Sequence, residues 1–254
     1  MTKIKTWQWS VLATSFFQLM GPGVLTLLGF SVSAENSSPQ ITPAGYTFAV
    51  WGVITLLSFA YGIYQCLPDR INWRVHWAMS RGLSLVYLLF LIWLVAAVMK
   101  WLAATVLVFI TMFCLLTLLF QKLMQERKKL NLTERIILFG QVAIYTGWTT
   151  VAVFANAASA IKYYGVSDAG LAGIIWQAAI LILALINGKY WLNRFDRDLI
   201  FGTTIIWALA GVYFGLLQYP DNGVLRVITL AGMVLVAGHL VMKGYARDQL
   251  KKSR

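Results

Sequence analysis

"MSRGLSLVYLLFLIWLVAAVMKWLAATVLVFITMFCLLTLLFQ", residues 79–121, contains two apolar runs, 79–98 and 101–121, parted only by Met99 and Lys100. Its only charges are Arg81 and Lys100. An α-helix needs about 20 apolar residues to cross the hydrocarbon core of a bilayer, and each run reaches that length. With two residues between them, the runs form a tight hairpin of membrane-crossing helices. Further runs of the same kind lie at about 7–30 and 43–65 before the hairpin, and at 136–160, 169–188, 199–218 and 224–242 after it. The connectors "ENSSPQ", "LPDRINW", "QERKKLNLTER", "NRFDRD" and "YPDNG" carry turn chemistry.

The whole composition agrees with that reading. Of 254 residues, 59% are hydrophobic and 12% charged, against roughly half and a quarter in a soluble domain. Lys and Arg number 21 and Asp and Glu 9, and almost all of these lie between the runs. Lys and Arg accumulate in cytoplasmic connectors. Alternate connectors collect Lys3 and Lys5, then Arg70, Arg74 and Arg81, then Lys122 to Arg135, then Lys189, Arg194 and Arg197, then Lys243 to Arg254. The opposite side has only Lys100, Lys162 and Arg226, a split of 18 to 3 among the 21 cations. The basic surplus is therefore a topology signal, and no nucleic-acid surface is expected. The expected fold is all-α, a polytopic membrane helical bundle of about eight transmembrane helices with both termini cytoplasmic.

"MTKIK", the first run and "SVSAEN" resemble a signal peptide, with Val32 and Ala34 at the small-residue positions. The run is longer than the 7 to 15 residues of a typical signal core, so an uncleaved first helix is expected. Cys66 and Cys114 show no disulfide or metal-ligand spacing.

Polar and aromatic side chains inside the spans are the candidates for function. Trp51, Thr55, Ser58 and Gly62 share a face of the second span. Tyr145, Trp148, Thr149, Ala152, Asn156 and Ser159 make a stripe on the fifth. Small and polar residues of this sort also serve as glue between membrane helices, at about 0.6 to 2 kcal/mol each. Of the 11 tryptophans, those near span ends suit the headgroup boundary. Trp51, Trp93, Trp148, Trp176 and Trp207 lie deeper, where an aromatic cavity competes with that explanation.

The start of the second span, "PAGYTFAVWG" at residues 43–52, resembles that of the TspO/MBR family of tryptophan-rich sensory and translocator proteins. The family pattern is roughly Pro-Pro-x-Trp-x-Phe-Gly-Pro-x-Trp. Pro43, Tyr46, Phe48 and Trp51 match it, with Tyr in place of the first Trp, Ala44 in place of the second Pro, and one residue missing before Trp51. The fifth span adds Trp148, Ala152 and Asn156 at the spacing of the family's Trp-x-x-x-Ala-x-x-x-Asn. The third span, with Trp93, lacks the family's Asn-Trp-Pro-like signature. The likeness implies a five-helix bundle over residues 1–162. Three further transmembrane helices and a basic tail then occupy 163–254, as in a longer, divergent branch.

The resemblance implies a membrane-embedded binding or sensory protein of a bacterial inner membrane. Its ligand would be hydrophobic, a tetrapyrrole such as a porphyrin or a sterol-like lipid. Carried over, the ligand-binding candidates are Tyr46, Phe48, Trp51, Trp148, Ala152 and Asn156. The missing residue turns Trp51 by about 100° from the family pattern unless the start of the helix compensates. The likeness also implies a homodimer, with membrane lipids as the other partners.

The alternatives are a small transporter and an intramembrane lipid-modifying enzyme. A coupled transporter calls for an acid inside the membrane, and the spans show no Asp or Glu well inside. No catalytic residue or metal ligand is identified, and no cofactor is required, although porphyrin or haem is a candidate ligand. His76, in the second connector, and His239, near the end of the last span, read as interfacial or packing residues before axial haem ligands. "QERKKLNLTER" reads as an orienting charge cluster that could also meet anionic lipid.

Overall fold

The computed structural model describes residues 6–30, 38–67 and 73–252. All regular structure among them is helical. In chain order the helices are α1 (Thr6–Leu27), α2 (Val50–Tyr64), α3 (Trp73–Val98), α4 (Leu102–Glu126), the short α5 (Leu132–Glu134), α6 (Gln141–Tyr163), α7 (Gly170–Arg194), α8 (Leu199–Leu216) and α9 (Gly223–Lys252). A 3₁₀ turn, Gly45–Ala49, leads into α2, and a π-helical segment, Arg135–Gly140, joins α5 to α6. Among the described residues, eight stretches are long and apolar enough to cross a membrane, with α5, the π segment and α6 forming one of them, Leu132–Tyr163. Val32, Ala34 and Arg70 lie outside the described residues, so the cleavage reading and part of the charge alternation do too.

Several helices end in the same way. At the α3–α4 joint, Lys100 takes φ 57°. Its N–H donates to Ala97 O at 3.1 Å, while that of Trp101 donates to Ala96 O at 2.8 Å. These paired bonds satisfy carbonyls that the helix end would leave orphaned. Gly165, with φ 99°, closes α6 similarly through Gly165 N–H to Lys162 O and Val166 N–H to Ile161 O. Glycine takes the left-handed conformation without a Cβ penalty; at the hairpin a lysine accepts it, because two residues must reverse the chain.

The chain divides into two compact units. Unit 1 comprises Met1–Glu35 and Ala49–Thr149, and unit 2 comprises Asn36–Phe48 and Thr150–Arg254. In unit 1, α1 packs on α2 and α3, α3 on α4, and the π segment on α2. Gly62 makes the α1–α2 approach possible, since a Cβ there would lie 2.5 Å from Ser15 Oγ and 3.2 Å from Leu12 Cα. Small residues at such crossings let membrane helices meet backbone to backbone.

In unit 2, α9 packs on α7 and α8. The core gathers Ile41, Ala158, Leu181, Val212, Leu216 and Leu225. The segment 38–48 belongs here because backbone groups along it are answered here. Ile41 N–H donates to Gln177 Oε1 at 3.2 Å, Ala44 N–H to Gly211 O at 2.9 Å, and Trp207 Nε1–H to Thr47 O at 3.0 Å. Lys162 donates to Ser38 O at 2.9 Å and pairs with Asp168 at 2.8 Å. The units thus differ from a division at 162/163: α6 contributes to both, and the stretch before α2 joins the C-terminal helices.

Candidate functional site

The sequence-derived site residues fall into both units. Tyr46 and Phe48 sit in the 3₁₀ turn assigned to unit 2, where the Tyr46 ring lies 5.7 Å from Trp207 and 6.2 Å from Phe214, edge to face. Both side chains are substantially exposed. Ala152 is buried, and Asn156 is half-buried with its Nδ2–H donating to Ala152 O at 2.9 Å, one turn back on its own helix. Trp51 and Trp148 belong to unit 1, and the structure brings them together with ring centroids 6.0 Å apart and nearly perpendicular.

Trp51 lies in the first turn of α2, and its indole faces α6, where it meets Tyr145 and Trp148.

Around Trp51 the unit assembles an aromatic cluster. Phe90 of α3 lies at 4.7 Å, Tyr145 of α6 at 5.5 Å, Trp93 of α3 at 5.9 Å and Phe109 of α4 at 6.3 Å. The Trp93 ring is stacked on Trp51 at an interplanar angle of 24° and meets Phe109 edge-on at 5.3 Å. Phe90, Phe109, Tyr145 and Trp148 are buried, whereas Trp51 and Trp93 retain partial exposure. Offset and edge-to-face pairs of this kind contribute about 0.5–1.5 kcal/mol each beyond the area they bury.

Polar groups lie beneath the cluster. Gln18 Nε2–H of α1 donates to the Tyr145 hydroxyl at 3.1 Å. Gln141 Nε2–H donates to Ser58 Oγ at 3.0 Å, and Ser58 donates in turn to Ile54 O. The stripe foreseen on the second span therefore does mixed work: Trp51 enters the cluster, Ser58 receives an amide, and Gly62 admits α1. These polar groups are fully buried, so the partly exposed indoles of Trp51 and Trp93 are the part of the arrangement that a flat ring system could meet. Among the described residues, no three His, Cys, Asp or Glu side chains group to hold a metal ion.

The sequence reading missed a second polar centre in unit 1. His76 is in the first turn of α3, and Glu134 closes α5; both are buried. His76 Nε2 lies 2.9 Å from Glu134 Oε1, and Nδ1 lies 3.1 Å from the Tyr61 hydroxyl. In the tautomer that donates from Nε2 to the carboxylate, Nδ1 accepts the Tyr61 proton. The other carboxylate oxygen accepts Asn131 N–H at 3.0 Å, while Glu134 N–H donates to Asn131 Oδ1 at 2.8 Å, a complete capping box. Asn131 Nδ2–H then donates to the Tyr64 hydroxyl at 3.0 Å. Both nitrogens of His76 are engaged, which removes it as an axial haem ligand in this arrangement. His239, in unit 2, shares a 2.6 Å hydrogen bond between Nε2 and Asn193 Oδ1.

"NLTE" within the basic connector was the available signal, since Asn followed three residues later by Glu marks a helix start. Taken so, it moves the beginning of the fifth span to Leu132 and places Glu134 inside a helix.

A family model described as "TSPO-like protein" matches residues 29–242. The match runs on through α7 and α8 and reaches into α9, so the C-terminal helices lie within the family pattern. Comparison with curated proteins gives no match, and neither does comparison with solved structures.

Proposed function

Because the chain belongs to the TSPO-like protein family and is an integral membrane protein of apolar helices, we propose that it binds a flat hydrophobic ligand at the aromatic cluster of unit 1, and that binding there serves sensing. The observation that carries this reading is the meeting of Trp51 with Trp148, two residues from separate family-like motifs, inside one cluster. Tetrapyrroles and sterol-like lipids both suit packing against the partly exposed indoles of Trp51 and Trp93. The one-sided cation distribution supports insertion in a bacterial inner membrane with both termini cytoplasmic.

The test is titration of the purified protein with protoporphyrin, read by quenching of tryptophan fluorescence. Trp148 is buried, so its truncation to Ala would also cost core stability of about 3–5 kcal/mol. Trp51→Phe and Trp148→Phe are therefore the informative variants. Weakened, still saturable binding in both supports the site, and unchanged affinity in both refutes it.

A second reading, coupled transport, gains from one observation: Glu134 is a buried carboxylate at the start of a span. Ligand uptake into proteoliposomes that depends on a proton gradient and is lost in Glu134→Gln would favour it.

A further inference from the structure

Unit 2 carries a cleft between α7 and α9, apart from the aromatic cluster. Its volume is about 310 Å³, at the lower end of the range for small-molecule sites. From α7 it is lined by Ile182, Leu185, Ile186, Lys189 and Leu192, and from α9 by Gly232, Leu235, Val236 and His239. These residues recur at helical spacing, so each helix contributes one stripe of about two turns. Leu192, Gly232 and Val236 form the buried floor, while Ile182, Ile186 and Leu235 stand at the open rim. Gly232 sets the depth, because a Cβ there would lie 2.4 Å from Leu185 Cδ2.

The cleft is polarised along its length. It is apolar from Ile182 to Ile186 and ends at Lys189 and His239, with the Asn193–His239 hydrogen bond joining the two helices at that end. Lys189 stands exposed at this end of the cleft, Arg194 closes α7, and the connector that follows carries Arg197. In the expected topology this is the cytoplasmic end, where the leaflet surface is anionic.

We infer that the cleft binds an anionic phospholipid, one acyl chain lying between the α7 and α9 stripes and the headgroup meeting Lys189 at the basic end. Basic pockets between transmembrane helices on the cytoplasmic side select such headgroups. The apolar length of the cleft accounts for an attached chain, and Lys189 at its end accounts for negative charge.

The experiment uses the full chain in a mild non-ionic detergent and native mass spectrometry with dioleoylphosphatidylglycerol or dioleoylphosphatidylcholine. A cation near an anionic headgroup is worth about 1 kcal/mol, so Lys189→Gln is expected to weaken phosphatidylglycerol binding roughly five-fold and phosphatidylcholine binding by less, since the choline cation offsets the phosphate that both lipids carry. Leu235→Trp, which fills the cleft from its rim, is expected to reduce the binding of both lipids. Leu235 is 63% exposed and Lys189 is also exposed, so both variants should unfold thermally as the wild type does. Equal binding of the two lipids by the wild type, unchanged selectivity in Lys189→Gln, or full binding in Leu235→Trp would each overturn the proposal. Displacement of phosphatidylglycerol by inorganic phosphate alone would overturn it as well, by removing the role of the chain.

Discussion

Replacing Glu134 by Ala removes, in one step, the acceptor for His76 Nε2 and the side chain that receives Asn131 N–H. His76 is fully buried, with a side-chain exposure of 0% against 2% for Glu134. Removing the acceptor leaves a fully buried imidazole N–H without a partner, at a cost of about 1–3 kcal/mol. Loss of the capping interaction adds about 1 kcal/mol. For a chain of this size each kcal/mol lowers Tm by about 2–4 °C, so a fall on the order of 10 °C is expected. The assay is thermal unfolding in detergent, followed by tryptophan fluorescence. Glu134→Gln offers a sharper comparison. Its amide oxygen can accept from either Asn131 N–H or His76, but its NH₂ must then face the other donor. The imidazole relieves the clash by moving its proton to Nδ1, which makes the Tyr61 hydroxyl seek another acceptor. Glu134→Gln should therefore fall between the wild type and Glu134→Ala. The double variant His76→Phe/Glu134→Leu, which replaces both partners by apolar groups, should recover much of the loss. A Tm for Glu134→Ala indistinguishable from the wild type would refute the argument that this pair organises unit 1.

Two other outcomes follow from packing and burial. Gly62→Val should destabilise unit 1 by about 1–3 kcal/mol, because its Cβ meets Ser15 and the α1 backbone and the helices must part; a Tm equal to that of the wild type would contradict the close α1–α2 approach. Burial pushes the Cys66 thiol above its ordinary value, so at a given pH it holds less thiolate than a free cysteine. The rate of maleimide labelling at Cys66, measured in Cys114→Ser, should still be rising at pH values where the unfolded chain has levelled off, and coincident pH profiles would refute this.

The spans were legible because hydrocarbon thickness leaves little freedom: a run such as 101–121 has no other stable arrangement in a bilayer. The start of the fifth span was less so. Hydropathy places it near 136, since Glu134 and Arg135 look like connector residues, whereas the helix begins at Leu132. The capping box explains the difference, because it satisfies the orphaned amides at the helix start with a carboxylate whose charge is in turn answered by a histidine distant in sequence. Hydropathy averages over such pairs and cannot register that an acid and a base cancel one another's cost.

The candidate site shows the same limit from the other side. Spacing along a helix establishes that Trp148, Ala152 and Asn156 share a face of α6, yet a face is continuous where packing is not. Trp148 meets Trp51 in one compact unit, while Ala152 and Asn156 fall in the other, and Asn156 spends an amide hydrogen on its own backbone. For Trp51 the deciding contacts come from α3, α4 and α6, and residue spacing along α2 alone does not reveal them. The ring geometry around Trp51, rather than the count of residues before it, is the proper basis for placing a ligand.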